Sequence, residues 1–163
     1  MNRRTTLMLT GMTLLGLAFA ASPQVALAHS DPFDGIWQAN LAKSNRTGPS
    51  AGLKSATSYF HGEGQNRKLT VVGIDAQGNP VSAVYMQIYD GQPHPTTGNP
   101  SYDANATTRV DAHTINYSLT KAGKLVVTGT LVVSQDGKTL TITAKGTDAS
   151  GREYNSVGVY DKL

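Results

Sequence analysis

The sequence contains no cysteine. Disulfides, thiolate metal sites and thiol nucleophiles are excluded with it, so the fold must be held by its core alone. There is no stripe of Lys and Arg and no interleaving of basic with aromatic residues, which excludes the usual footprint of a nucleic-acid partner. No H-x-H or H-x-x-x-H pair marks a preformed zinc site. No nucleophile elbow, glycine-rich phosphate loop or paired acidic motif is present, and no organic cofactor is expected. No helical apolar period lasts beyond two turns. Tryptophan occurs once, at Trp37.

What is present begins with an export-like segment. Arg3 and Arg4 precede an uncharged, mostly apolar stretch from Leu7 to Ala21, and Ala26-Leu27-Ala28 has the small-x-small pattern of a cleavage site. The apolar stretch is shorter than the roughly 20 residues that cross a bilayer. The expectation is a signal peptide over residues 1–28, cleaved before His29, and a periplasmic or secreted domain over residues 29–163. The general secretory route fits better than twin-arginine export, because Thr5 and Thr6 follow the arginine pair. The fourteen Lys and Arg then fall to twelve, against eleven Asp and Glu, so the formal charge of +3 shrinks to about +1. The 135 residues left suffice for one core.

That domain shows period-two alternation bounded by glycine turns. Strands are expected near 35–42, 53–61, 67–75, 80–89, 106–111, 113–120, 124–134, 138–146 and 152–161. Gly123, Gly137 and Gly151 stand fourteen residues apart, each where a tight reversal needs positive φ. Equal spacing of this kind is a meander of equal hairpins. Ile115, Tyr117 and Leu119 share one face; so do Leu140, Ile142 and Ala144, and Leu125, Val127, Gly129, Leu131 and Val133. With no helix to cover the apolar face, the sheet must close or fold over. Regular hairpins favour a single all-β, antiparallel up-and-down barrel of about eight to ten strands. A barrel of that size holds side chains or one small ligand.

The run Phe33-Asp34-Gly35-Ile36-Trp37-Gln38-Ala39-Asn40-Leu41 opens the first strand. An indole there can stopper one end of a rolled sheet, and Gly35 lets another group approach closely. Two segments break the rhythm. Residues 43–52 form a polar loop. Residues 90–103 hold three of the chain's seven prolines and read either as a flap at the barrel mouth or as a spacer.

Four histidines lie beyond the apolar segment: His29, His61, His94 and His113. As a new amino terminus, His29 could chelate Cu(II) through its amine and imidazole, or be a solvated end. His61 with Glu63, and His94 with Asp90, could do acid–base work, or be polar residues at strand ends. On the fourth strand Tyr85, Gln87 and Tyr89 alternate with Val84, Met86 and Ile88. Hydrophobicity alone would turn the Val/Met/Ile face inward.

Gly35-Ile36-Trp37 resembles the Gly-x-Trp signature of the calycins, the lipocalins and fatty-acid-binding proteins. The longer run from Asp34 to Ser44 is similar to the start of exported bacterial lipocalin-like proteins. So are Tyr89-Asp90-Gly91 with Pro95 and Gly98-Asn99-Pro100, the block Ser134 to Ile142, Lys145 to Asp148, and Val159-Tyr160-Asp161-Lys162. The resemblance implies a calycin-type barrel with its first strand near its last. It implies aromatic side chains inside at the positions of Ala83, Tyr85 and Tyr89. The expected ligand-binding set is then Tyr85, Gln87, Tyr89, His94 and Tyr117, in a cavity for a small hydrophobic or amphipathic molecule. Val84, Met86 and Ile88 would form an outward stripe suited to a homodimer. The resemblance also implies a basic residue over the tryptophan from the far end of the chain. Arg152 and Lys162 are the candidates, and Arg152 joins Gly35 and Trp37 as the expected closing group. No helical lid can form over 43–52, which contains Gly48, Pro49 and Gly52.

Overall fold

The computed structural model describes residues 31–148 and 150–163. The expected signal segment and His29 lie outside the described residues. Ten strands form in chain order: β1 (Gly35–Ala39), β2 (Ser55–Glu63), β3 (Asn66–Ile74), β4 (Pro80–Gln87), β5 (His94–Thr97), β6 (Ala104–Arg109), β7 (Thr114–Lys121), β8 (Lys124–Val133), β9 (Thr139–Thr147) and β10 (Glu153–Lys162). Each pairs antiparallel with the next, and β10 returns to β1, closing the barrel. The closing ladder aligns Trp37 with Lys162, Gln38 with Asp161 and Ala39 with Tyr160. A closed barrel satisfies every strand edge, which an uncovered open sheet cannot do.

Expected and observed strands agree except in one place. Residues 90–103 are neither flap nor spacer as a whole. Within them, β5 pairs with β4 through Val84–Thr97 and Tyr85–Thr96. It pairs with β6 through His94–Asn105 and Pro95–Ala104. Pro95 has no amide hydrogen to give a ladder, and a four-residue strand between prolines carries almost no alternation signal.

The two ends differ. At one end the residues before β1 fold back under the barrel. Phe33 and Trp37 are fully buried there, among Phe60, Leu69, Ile115, Leu131, Val133 and Leu140. At the other end the chain after β1 stays on β10: Asn45 exchanges backbone hydrogen bonds with Val157 at 2.8 and 2.9 Å, and the Thr47 hydroxyl donates to the Asn155 carbonyl at 2.9 Å. The loop over 43–52 is therefore one rim of the open end, with short 3-10 turns at Leu41–Lys43 and Gly48–Ser50. The turn over 98–102 borders the same mouth.

Inward faces follow the expected alternation on β7, where Ile115 and Leu119 are buried and Tyr117 packs against the core. On β8 the register slips opposite Leu119 and Thr120. Leu125 beyond the slip is 61% exposed, so the expected apolar face ends at Val127.

Candidate functional site

The closed end is built from ionic and aromatic groups. The Trp37 indole N–H donates to the Phe33 carbonyl at 2.8 Å. Lys162 lies over the indole, its Nζ 4.9 Å from the ring centroid, and donates to the Pro32 carbonyl at 3.1 Å. Gly35 makes room for this: a Cβ there would fall 2.9 Å from Lys162 Cε, on a backbone with φ of +129°. Asp31 bridges the Arg67 and Arg109 guanidinium groups, each at 2.7 Å, and Asp34 takes Arg67 Nε at 2.9 Å.

Arg152 is not the group over the tryptophan. It belongs to the β9–β10 turn, with its side chain 81% exposed and paired to Asp148 at 3.1 Å. β10 advances about 3.3 Å per residue, so Arg152 and Lys162 stand roughly 30 Å apart, at opposite ends of the barrel. The cation expected from the far end of the chain is Lys162.

Inside the barrel is a chamber of about 140 Å³, lined by Leu69, Val71, Tyr85, Gln87, Asn105, Thr107, Tyr117, Leu119, Leu131 and Ile142. Tyr85, Gln87 and Tyr117 from the expected set meet here. The tyrosine face of β4 points in, with Ala83 and Gln87 buried and Val84, Met86 and Ile88 half-buried outside. Burial pushes the Tyr85 and Tyr117 phenols up from their ordinary range. The Tyr117 hydroxyl donates to the Thr143 carbonyl at 2.8 Å.

The other two expected residues lie elsewhere. Tyr89 packs against the core below the chamber, with the Arg109 guanidinium 5.6 Å from its ring. The His94 imidazole meets the Asp90 carboxylate at 3.0 Å. Neither lines the chamber, because β4 ends at Gln87 and the chain turns out over 88–93 before β5 begins. Among the described residues no three His, Asp or Glu side chains gather as a metal site.

Sequence reasoning missed the polar corner of the chamber. Asn105 is 2% exposed. Its amide donates to the Met86 carbonyl at 3.1 Å and its oxygen accepts from the Thr96 hydroxyl at 3.1 Å. The buried Thr107 hydroxyl beside it has no partner among the described residues. An Asn-x-Thr on one strand carries no signal of its own; only the position of β5 explains it.

The chamber shares Val71 and Tyr85 with a mouth of about 400 Å³ between the 46–53 loop and the 98–102 turn. It shares Tyr117, Leu119 and Ile142 with a side chamber of about 150 Å³ bounded by Tyr102, Tyr154 and Gly158. Ligand sites typically enclose about 300–1,000 Å³. The inner chamber alone falls below that range, and the mouth falls within it.

This is the architecture of a lipocalin-like barrel: ten antiparallel strands in up-and-down order, closed at the indole end and hollow toward the other. Crystalline zebrafish ileal bile acid-binding protein, complexed with cholic acid, aligns over 81% of this chain and 99% of its own, with a TM-score of 0.52 and 12% identity. Lobster apocrustacyanin A1 aligns over 82% of this chain and 62% of its own, with a TM-score of 0.46 and 12% identity. No family model matches the chain, and no curated protein matches it in sequence.

Proposed function

We propose that this protein is an exported carrier that holds one small, partly apolar molecule inside its barrel. The observation that carries the reading is the inner chamber. Its wall is Leu69, Val71, Leu119, Leu131 and Ile142, with Gln87, Asn105 and Thr107 grouped as a polar corner. An apolar cup with a few fixed polar groups is the ordinary form of a small-molecule site. Tyr85, Gln87 and Tyr117 are the contact residues from the expected set; that the zebrafish barrel of similar fold is complexed with cholic acid supports a small-molecule ligand. The basic, apolar and small-residue order of residues 1–28 supports export to the periplasm or medium.

The test uses N-phenyl-1-naphthylamine, an uncharged dye that brightens in apolar surroundings. Binding at one site per chain is expected. Val71→Phe, which fills the chamber, should weaken it at least tenfold, while Lys124→Ala at the exposed β7–β8 turn should leave it unchanged. Absence of dye binding, or equal binding by Val71→Phe, would leave a barrel packed with side chains whose business is on its outer surface. Intact mass of the protein recovered from the producing cells tests export: the chain should begin at His29, and retention of Met1 would refute it.

A further inference from the structure

Strand β6 is built inside out. Asn105 and Thr107 point inward, each 2% exposed, and Arg109 follows them to lie over the Phe33 and Tyr89 rings. Ala104, Ala106 and Thr108 take the outer face. A strand shaped by packing alone would reverse these faces. Two of the inward residues have a structural use. Asn105 ties the Met86 carbonyl and the Thr96 hydroxyl, and Arg109 pairs with Asp31. Thr107 has no such use: its hydroxyl is buried without a partner among the described residues. Valine would fill the same space and bury no unpaired hydroxyl.

That hydroxyl belongs to the wall of the inner chamber. The other polar groups there are mostly spent. The Tyr117 hydroxyl donates to the Thr143 carbonyl, and Asn105 is engaged at both ends of its amide. Gln87, 2% exposed, accepts from the Tyr89 hydroxyl at 3.5 Å, and its amide nitrogen donates to no described residue. Thr107 and Gln87 are therefore the free donors of the chamber. No Asp, Glu, Lys, Arg or His lines it. The cations of the closed end below it, Arg67 and Arg109, are taken by Asp31 and Asp34. Burial pushes the Tyr85 and Tyr117 phenols up, so they stay neutral. A charged group brought into this chamber would lose its water and find no counter-charge. A neutral oxygen acceptor would find donors waiting.

We propose that the carried molecule is neutral and bears a carbonyl oxygen, held in the inner chamber by a hydrogen bond from the Thr107 hydroxyl with the Gln87 amide as second donor. This rests on the carrier reading above and specifies its ligand. Thr107 is then the residue that tells a carbonyl compound from a hydrocarbon of the same shape, because only the former pairs the buried hydroxyl.

The experiment displaces bound N-phenyl-1-naphthylamine with acetophenone, with 2-phenylpropene and with benzoate, on wild-type protein, Thr107→Val and Thr107→Ser. Acetophenone and 2-phenylpropene share one shape, a carbonyl oxygen in the first standing where the second has a methylene, so general hydrophobicity cancels when variants are compared by the ratio of the two affinities. That ratio should fall about fivefold in Thr107→Val, the size of one neutral hydrogen bond, and stay within about twofold of wild type in Thr107→Ser. Wild type should bind benzoate about tenfold or more weakly than acetophenone. The urea midpoint of Thr107→Val should hold or rise, since the hydroxyl it removes has no partner in the protein. A ratio unchanged in Thr107→Val overturns the proposal, as does benzoate bound as tightly as acetophenone. A lowered midpoint also overturns it, because the hydroxyl would then be bonded within the protein. Any of these results with dye binding intact refutes the carbonyl assignment alone; dye that never binds refutes the carrier reading and this with it.

Discussion

Trp37 and Lys162 meet across the seam where the barrel closes, and their contact separates two readings of the same chain end. A cation over an exposed indole contributes about 0.5–1 kcal/mol, more when desolvated, and the bond to the Pro32 carbonyl adds about 1. Lys162→Met should therefore lower stability by about 1–2 kcal/mol and shift Trp37 emission. Arg152→Met should leave the emission of Trp37 untouched, as both urea unfolding and fluorescence can establish. Trp37→Ala empties a fully buried site and should cost about 3–5 kcal/mol. Arg152 has a different use. With it, the Ser150 hydroxyl, first in effect, and the turn amides hold the Asp148 carboxyl down to about 2, from an ordinary 3.8. A carboxyl lowered on folding adds stability above its unfolded value and loses it as pH falls through the folded one. The stability gap between wild type and Asp148→Asn should thus be full above about pH 5, shrink as pH falls through about 2 and be gone near pH 1. A gap that grows on acidification would contradict the sign. Trp37 and Gly35 were legible as a closing pair from the first strand alone. Choosing between Arg152 and Lys162 required the β1–β10 register, which no local pattern contains.

Strands announce themselves by alternation, and most of these did. The evenly spaced glycines over 123–151 gave the last hairpins, and Tyr117 and Leu119 fell on the face expected of them. β4 was harder, since both of its faces are fit for burial. Its tyrosine face is inside, and Val84 and Met86 stand on the outer wall opposite Thr70 and Lys68 of β3, where they are only half-buried. β5 escaped notice because two ladder pairs on each side are too few to leave a period. Its weak backbone pairing is supplemented by Asn105, which ties β6 to the Met86 carbonyl and the Thr96 hydroxyl. Asn105→Ala strands both of those buried partners and should cost about 1–3 kcal/mol in urea unfolding. Asn105→Asp keeps an acceptor for Thr96 but offers Met86 no donor, and puts a charge in the chamber, so it should be no better. A loss under 0.5 kcal/mol for the alanine variant would mean that β5 holds its place without this side chain.

The barrel as a unit is rigid at one end and accessible at the other. At the closed end, aromatic burial, the Asp31 bridge and the Lys162 cap act on the same few residues. At the open end, two rim segments face each other across the mouth, and hydroxyl and backbone contacts fasten one of them to β10. Local opening is cheapest where few apolar contacts are lost. Amide exchange should therefore be fastest in residues 46–53 and 98–102, and slowest in the central ladders of β9 and β10. Ligand bound in the chamber stabilises only what it touches or what must open to release it. Saturation with N-phenyl-1-naphthylamine should slow exchange at both rim segments and, by raising the free energy of global unfolding, at the slowest amides of β9–β10, while raising the unfolding midpoint. At a free dye concentration 100 times its Kd the linkage amounts to about 2.7 kcal/mol. The closed end supplies an internal control, because a dye held on the outer wall would slow exchange along one strand face and spare both rims. Protection appearing at Gly64, Ala112 and Gly137 instead would place the binding site at the indole end, where the surface hollow beside Arg67 and Lys162 lies.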